Sequence, residues 1–143
     1  MPRSYTGDIE GKFWFAIQSS EDATHFGGVH KYLNEEGDVC DPEDSPIEIY
    51  SHFNITHLHE IRNELDYCDQ QLGELKPIIQ TLLTSESGFY DSDTFIQTHF
   101  GSLGYTTFSS IKPKLKVYAR MSLGEKILEC VKTTGECNFN AEL

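Results

Sequence analysis

Three segments of this chain alternate polar and apolar residues, and their polar sides carry the groups most able to do chemistry. In IEGKFWFAIQ (9–18), Glu10, Lys12 and Trp14 oppose Ile9, Phe13, Phe15 and Ile17. In IEIYSHF (47–53), Glu48, Tyr50 and His52 oppose Ile47, Ile49 and Phe53. In CNFNAEL (137–143), Asn138, Asn140 and Glu142 oppose Cys137, Phe139, Ala141 and Leu143. Successive side chains of a strand point to opposite faces, so neighbouring strands would gather all of these polar groups on one face. Trp14 and Tyr50 would then form a stacking or cation–π platform, and the carboxylates and amides would fix the polar groups of a ligand. Glu10 with Glu48 or Glu142 would be a carboxylate pair, and His52 a general base, as a small hydrolase or nucleotide-modifying enzyme requires. The same composition also describes the ordinary solvated side of an antiparallel sheet. No nucleophile motif accompanies the carboxylates, so binding rather than catalysis is the expectation for this face.

Other clusters carry less. His57 and His59 stand two apart, which on a helix turns them to different faces, unlike the i, i+4 histidines of a metal-binding helix. No metal and no cofactor is expected. Lys112, Lys116 and Arg120 recur at four-residue steps with Lys114 beside them, a basic stripe that could touch phosphates as part of a helix-turn-helix or pair with the protein's own acids. EEGDVCDPED (35–44) holds six carboxylates and one proline but lacks the ligand spacing and central glycine of a calcium loop, so it reads as a solvated loop. Cys40, Cys68, Cys130 and Cys137 make no CxxC pair and are expected as reduced thiols. The Asn54–Thr56 triplet has the form of a glycosylation acceptor, but no secretory signal is recognised ahead of it.

The elements that would position these groups follow from periodicity. Residues 19–34 read as a loop with one helical turn. Leu58, Ile61, Leu65, Cys68, Leu72, Leu75, Ile79 and Leu82 recur at three- and four-residue steps, which predicts one helix over 57–84, capped by Thr56 and kinked near Gly73 and Pro77. A turn at 85–91 leads to a short helix over 92–100, capped by Asp91 or Ser92 and carrying Phe95, Ile96 and Phe100. A last helix spans 110–134, with Pro113 in its first turn, Gly124 as an interior weakness and Gly135 as its stop. The expected fold is α+β: a small antiparallel or mixed sheet of about three strands (9–18, 47–53, 137–143), covered on one face by the helices and bare on the other.

At 143 residues the chain is expected to be a single domain, 1–143, with apolar content of 38% sufficient for a core. A net charge of −12 disfavours phosphate backbones and anionic membranes and favours cationic partners. With no apolar run of membrane-spanning length, a cytoplasmic location is expected. SYTGDIEGKFWFAIQSS at the start and YARMSLGEKILECVKTTGECNFNAEL at the end resemble small proteins of large DNA viruses and of environmental sequences, for which no activity is established. The resemblance covers mainly the two ends, implies a viral or mobile-element origin, and carries over no catalytic residue. The leading expectation is a non-enzymatic module that binds a partner protein or small ligand on the polar sheet face. The alternatives are an acidic mimic of nucleic acid that occupies a basic groove of a host or defence protein, and the small enzyme named above. Self-association through strand pairing is a further expectation.

Overall fold

The structure, a computed structural model, describes residues 3–14, 17–84 and 93–143. Among these residues six strands, β1 (Ser4–Gly7), β2 (Gly11–Lys12), β3 (Val29–Leu33), β4 (Val39–Cys40), β5 (Glu48–Asn54) and β6 (Glu136–Glu142), form one sheet in the order β2-β1-β6-β5-β3-β4. Every pairing is antiparallel. Four α-helices accompany it: α1 (Leu58–Leu72), α2 (Leu75–Thr84), α3 (Asp93–Phe100) and α4 (Phe108–Thr134). The fold is therefore α+β, as the alternation and periodicity indicate, with twice the expected number of strands.

The two central strands are those whose alternation is strictest. β5 buries Ile49, Ser51 and Phe53, β6 buries Cys137, Phe139 and Ala141, and Ile49 lies opposite Ala141 and Phe53 opposite Cys137. The expected strand over 9–18 is corrected to the two residues of β2. The chain stays in register only as far as Phe13, whose N–H bonds to the Arg3 carbonyl at 2.9 Å, and then turns, with Ile17 and Gln18 N–H both reaching the Trp14 carbonyl. The reason is apolar side chains on both sides of the segment. Trp14 and Ile17 gain more by entering the helical layer than a solvated strand would allow. Phe15 lies outside the described residues, as do the 85–91 turn and the caps Asp91 and Ser92.

The expected kinked helix is likewise corrected to two helices. Gly73 takes φ +51°, ψ −124° and its N–H closes on the Asp69 carbonyl at 2.9 Å, ending α1. Pro77 then falls in the first turn of α2, where its missing N–H has no intrahelical partner to lose. The cap of this region is Asn54 rather than Thr56: its side-chain oxygen accepts the Thr56 N–H at 2.9 Å, and the His57 ring returns a bond to the Asn54 N–H at 3.0 Å. α4 begins at Phe108, capped by Thr107, which moves Pro113 past the first turn; both Pro113 and Ser109, whose carbonyl loses its donor, are exposed to water.

The core has two clusters. Phe26, Ile61, Ile127 and Val131 from the helical layer pack on Tyr5, Phe13, Phe53 and Phe139 of the sheet side. Leu72, Ile79, Ile96, Phe100, Ile111 and Leu115 form a second cluster among the helices, and Leu65 packs against both. α4 serves the second cluster with its first half and the first with its second half. Where the halves meet, Gly124 is a requirement rather than a weakness. A Cβ there would come within 2.2 Å of the buried Phe26 ring and 2.9 Å of Leu65.

Candidate binding face of the sheet

With Ile49, Ser51, Phe53, Cys137, Phe139 and Ala141 turned to the helices, the alternate residues of the sheet keep contact with solvent. Register arranges them in rows across the strands. Lys12, Ser4, Glu142, Glu48, Leu33 and Val39 form one row; Thr6, Asn140, Tyr50 and Lys31 the next; Asn138, His52 and Val29 the third; Glu136 and Asn54 the last.

The third row is ordered by a hydrogen-bond network centred on Asn138. Its Oδ1 accepts from the Tyr50 hydroxyl at 2.7 Å and meets His52 Nδ1 at 2.5 Å, while its Nδ2 lies 3.3 Å from both Asp8 Oδ2 and Glu136 Oε1. Carboxylates only accept, so they fix the amide with its nitrogen toward Asp8 and its oxygen toward Tyr50 and His52. His52 must therefore donate from Nδ1, and the Nε2 of the neutral ring is left to accept from Asn54 Nδ2 at 3.4 Å. Asp8 also takes the Asn138 backbone N–H at 2.9 Å, standing in for strand β1 where that strand has ended.

Beside this network, at the other end of the same face, is a concavity of about 560 Å³ lined by Ser4, Thr6, Glu48, Asn140 and Glu142, with Ile47 and Leu143 at its rim. Glu48 and Glu142 lie directly opposite one another on adjacent strands, an arrangement that repels unless a cation or donor intervenes. The Ser4 hydroxyl and its backbone N–H, the latter at 3.1 Å, hydrogen-bond to Glu142 Oε1 and hold its carboxyl below the usual carboxylate range. The six carboxylates of 35–44, all exposed, flank this end, because Leu33 opposite Glu48 leads directly into that segment.

Of the residues singled out in the sequence, Glu48, Tyr50, His52, Asn138, Asn140 and Glu142 are brought together on β5 and β6. Lys12 reaches the same face only at its edge, opposite Ser4. Glu10 falls in the β1–β2 connection, where its carbonyl accepts from Lys126 at 3.3 Å, and it does not line the concavity. Trp14 leaves the face altogether and packs on Tyr118 with ring centroids 5.9 Å apart, so Tyr50 stands without its expected aromatic partner. The carboxylate pair and His52 do not converge: Glu48 and Glu142 line the concavity, whereas His52 belongs to the Asn138 network. Missed in the sequence were Ser4 and Thr6, from a strand of four residues, and Val29, Lys31 and Leu33, from a segment read as loop.

Part of each remaining cluster is engaged within the fold. In the basic stripe Arg120 turns inward, with Asp22 at 3.6 Å and Glu64 at 3.5 Å, and Lys114 bonds to the Gln71 carbonyl at 2.7 Å, while Lys116 stays exposed. Burial raises the Asp22 pKa above its ordinary value, and Arg120 opposes the shift. His57 completes the Asn54 cap, and His59 pairs with Asn63 at 3.1 Å. Among the described residues no group of His, Cys, Asp or Glu is arranged to hold a metal ion, and no helix is long and apolar enough to cross a membrane. Comparison with protein-family models, with curated proteins and with solved structures finds no match.

Proposed function

We propose that the chain is a non-enzymatic binding module, virus-encoded as the likeness of its two ends implies, which receives a partner protein's extended segment of mixed basic and apolar side chains on the open face of the sheet. The supporting observation is the ordered Tyr50–Asn138–His52 network beside a concavity containing two opposed carboxylates. Side chains already held by their neighbours lose little freedom on binding, and a tyrosine so held is a typical energetic anchor. Glu48 and Glu142 would accept a cationic side chain that relieves their mutual repulsion. Val29, 44% exposed, and Val39, 64% exposed, add apolar contact on the same face.

The acidic-mimic reading has its own support in the exposed carboxylates of 35–44. The two separate in one titration with a synthetic peptide alternating arginine and leucine. For a face anchored by Tyr50, Tyr50→Ala weakens binding by about tenfold, near 1.4 kcal/mol, and raising salt has a modest effect. Affinity that collapses with salt and ignores Tyr50→Ala would establish the mimic instead.

A further inference from the structure

Asn54 ends β5 and caps the turn Ile55–His57 that leads into α1. Its Oδ1 accepts from the Thr56 N–H at 2.9 Å and from the Thr56 hydroxyl at 2.5 Å, which fixes the amide with Nδ2 on the other side. From there Nδ2 reaches His52 Nε2 at 3.4 Å, and the Asn54 N–H reaches His57 Nδ1 at 3.0 Å. Both contacts start from a donor of Asn54, so both ring nitrogens must be unprotonated acceptors. The two rings stand edge to face with centroids 6.3 Å apart, and His57 also lies 6.2 Å from the Phe53 ring. A proton on either ring replaces its acceptor with an N–H aimed at another N–H. Asn54 has no compensating flip, because turning its amide over would set Nδ2 against the Thr56 N–H. Titratable groups face this junction from each side. Along β5, Tyr50 shares Asn138 Oδ1 with His52, and on the β6 side Asp8 and Glu136 meet Asn138 Nδ2, across the amide from His52. On the β3 side His30 packs 5.5 Å from Phe53, and His57 adds to the burial that lowers its pKa. On α1, His59 is paired with Asn63, and the Glu60 carboxylate occupies the space that a Cβ on Gly27 would fill.

We propose that this junction is a pH-sensitive latch: with His52 and His57 neutral it holds the end of β5 to the start of α1, and on acidification it opens and weakens the sheet face's hold on its cationic partner. The chemical step is the uptake of one solvent proton, at His52 Nε2 or at His57 Nδ1. Asn54 then gives up its contact with that ring, and the Thr56 cap it organises frays. Imidazole is the side chain whose charge changes near neutral pH, and both rings are only half-buried, so solvent protons reach them. The effect on the face rests on the binding function proposed above. His52 and Tyr50 share one acceptor, so a displaced His52 disturbs the tyrosine that anchors the partner. A charged His52 also places a positive group on the surface that receives a positive segment. The latch itself stands on the hydrogen bonds of Asn54 and does not depend on any partner.

Amide hydrogen exchange of the free chain, followed by NMR and referred to an unstructured peptide at the same pH, reads the latch directly. Protection of the Asn54 and Thr56 amides is expected to fall about tenfold between about pH 7.5 and about pH 5.5, while the amides of Ile49 and Phe139 in the central strands hold theirs. His57→Asn places Oδ1 where the imidazole Nδ1 stood, and His52→Gln places Oε1 where Nε2 stood, so each keeps the acceptor and takes up no proton. The double variant is expected to show the same protection at both pH values, and should it fold poorly, each single variant is expected to lessen the fall. Protection at Asn54 and Thr56 that is constant with pH in the wild type, that falls equally in the variants, or that falls together with the central strands would overturn the latch. Affinity for the peptide alternating arginine and leucine, whose charge is constant over this range, is expected to drop about tenfold in the wild type and to stay level in the double variant. Constant affinity while the amides open would overturn the regulation of the face. A peptide that binds at neither pH would overturn the proposed function alone, since the exchange measurement on the free chain decides the latch without it.

Discussion

Asn138 sets the orientation of its neighbours because two carboxylates on one side leave its amide a single way to face. Asn138→Ala removes the acceptor that Tyr50 and His52 share, and at a half-exposed position this is expected to cost about 1–2 kcal/mol, read from the urea midpoint. An unchanged midpoint would show that the network is not formed in solution. On the buried side of the sheet His30 is held neutral. Its Nε2 lies 2.6 Å from the Gly27 carbonyl and must carry the proton, so Nδ1, 2.8 Å from Ser51 Oγ, accepts from the hydroxyl. Burial lowers its pKa below the ordinary 6.5, and nearby His57 adds to the effect while the Gly27 carbonyl opposes it. Between 6.5 and the folded value, the unfolded chain binds a proton that the folded chain does not. Stability from His30 is therefore complete above 6.5 and is lost as pH falls through the folded pKa. Asp22, with its pKa raised, has the opposite sign in the window above its ordinary 3.8. The difference in unfolding free energy between wild type and His30→Gln isolates the histidine. That difference should shrink on acidification below 6.5, and a constant difference would contradict the buried neutral ring.

Among the elements, α4 carries the sharpest constraint. Gly124→Ala gains about 1 kcal/mol of helix propensity but drives a methyl group into the buried Phe26 ring, an overpacking cost of about 1–3 kcal/mol. Net destabilisation in urea is expected, and a stabilised variant would show that α4 and Phe26 do not meet as described. The strands and helices differ in how far their residues disclose them. β5 and β6 were legible because strict alternation places apolar and polar residues on opposite faces. β3 was not, because it inverts the pattern: His30 turns inward to Ser51 while Val29 and Leu33 turn outward. β1 and β2 are too short for periodicity to register. The α1–α2 break was read as a kink because Leu72, Leu75 and Ile79 keep helical spacing across Gly73, and all three enter one cluster. Gly124 looked like a defect because a sequence shows the cost of glycine in a helix but not the ring that occupies the vacated space.

At the scale of the whole molecule, the sheet is blunted at both edges by strands of two residues, which limits strand addition from outside. Besides those short edges, the sheet presents its open face to solvent. The part of that face built by β5 and β6 could be read from the sequence, whereas the contributions of β1 and β3 depended on strand order. Trp14 was misplaced because alternation alone cannot show where a strand ends. The carboxylates of 35–44, Glu48 and Glu142 give one end of the face a field that would draw a cationic segment toward it. The most direct measurement is a backbone-amide NMR titration with the arginine–leucine peptide. Shifts are expected at 48–52 and 138–142, with an affinity reduced about tenfold by Tyr50→Ala. Shifts confined to 35–44, with unaltered affinity in Tyr50→Ala, would contradict binding on the sheet face.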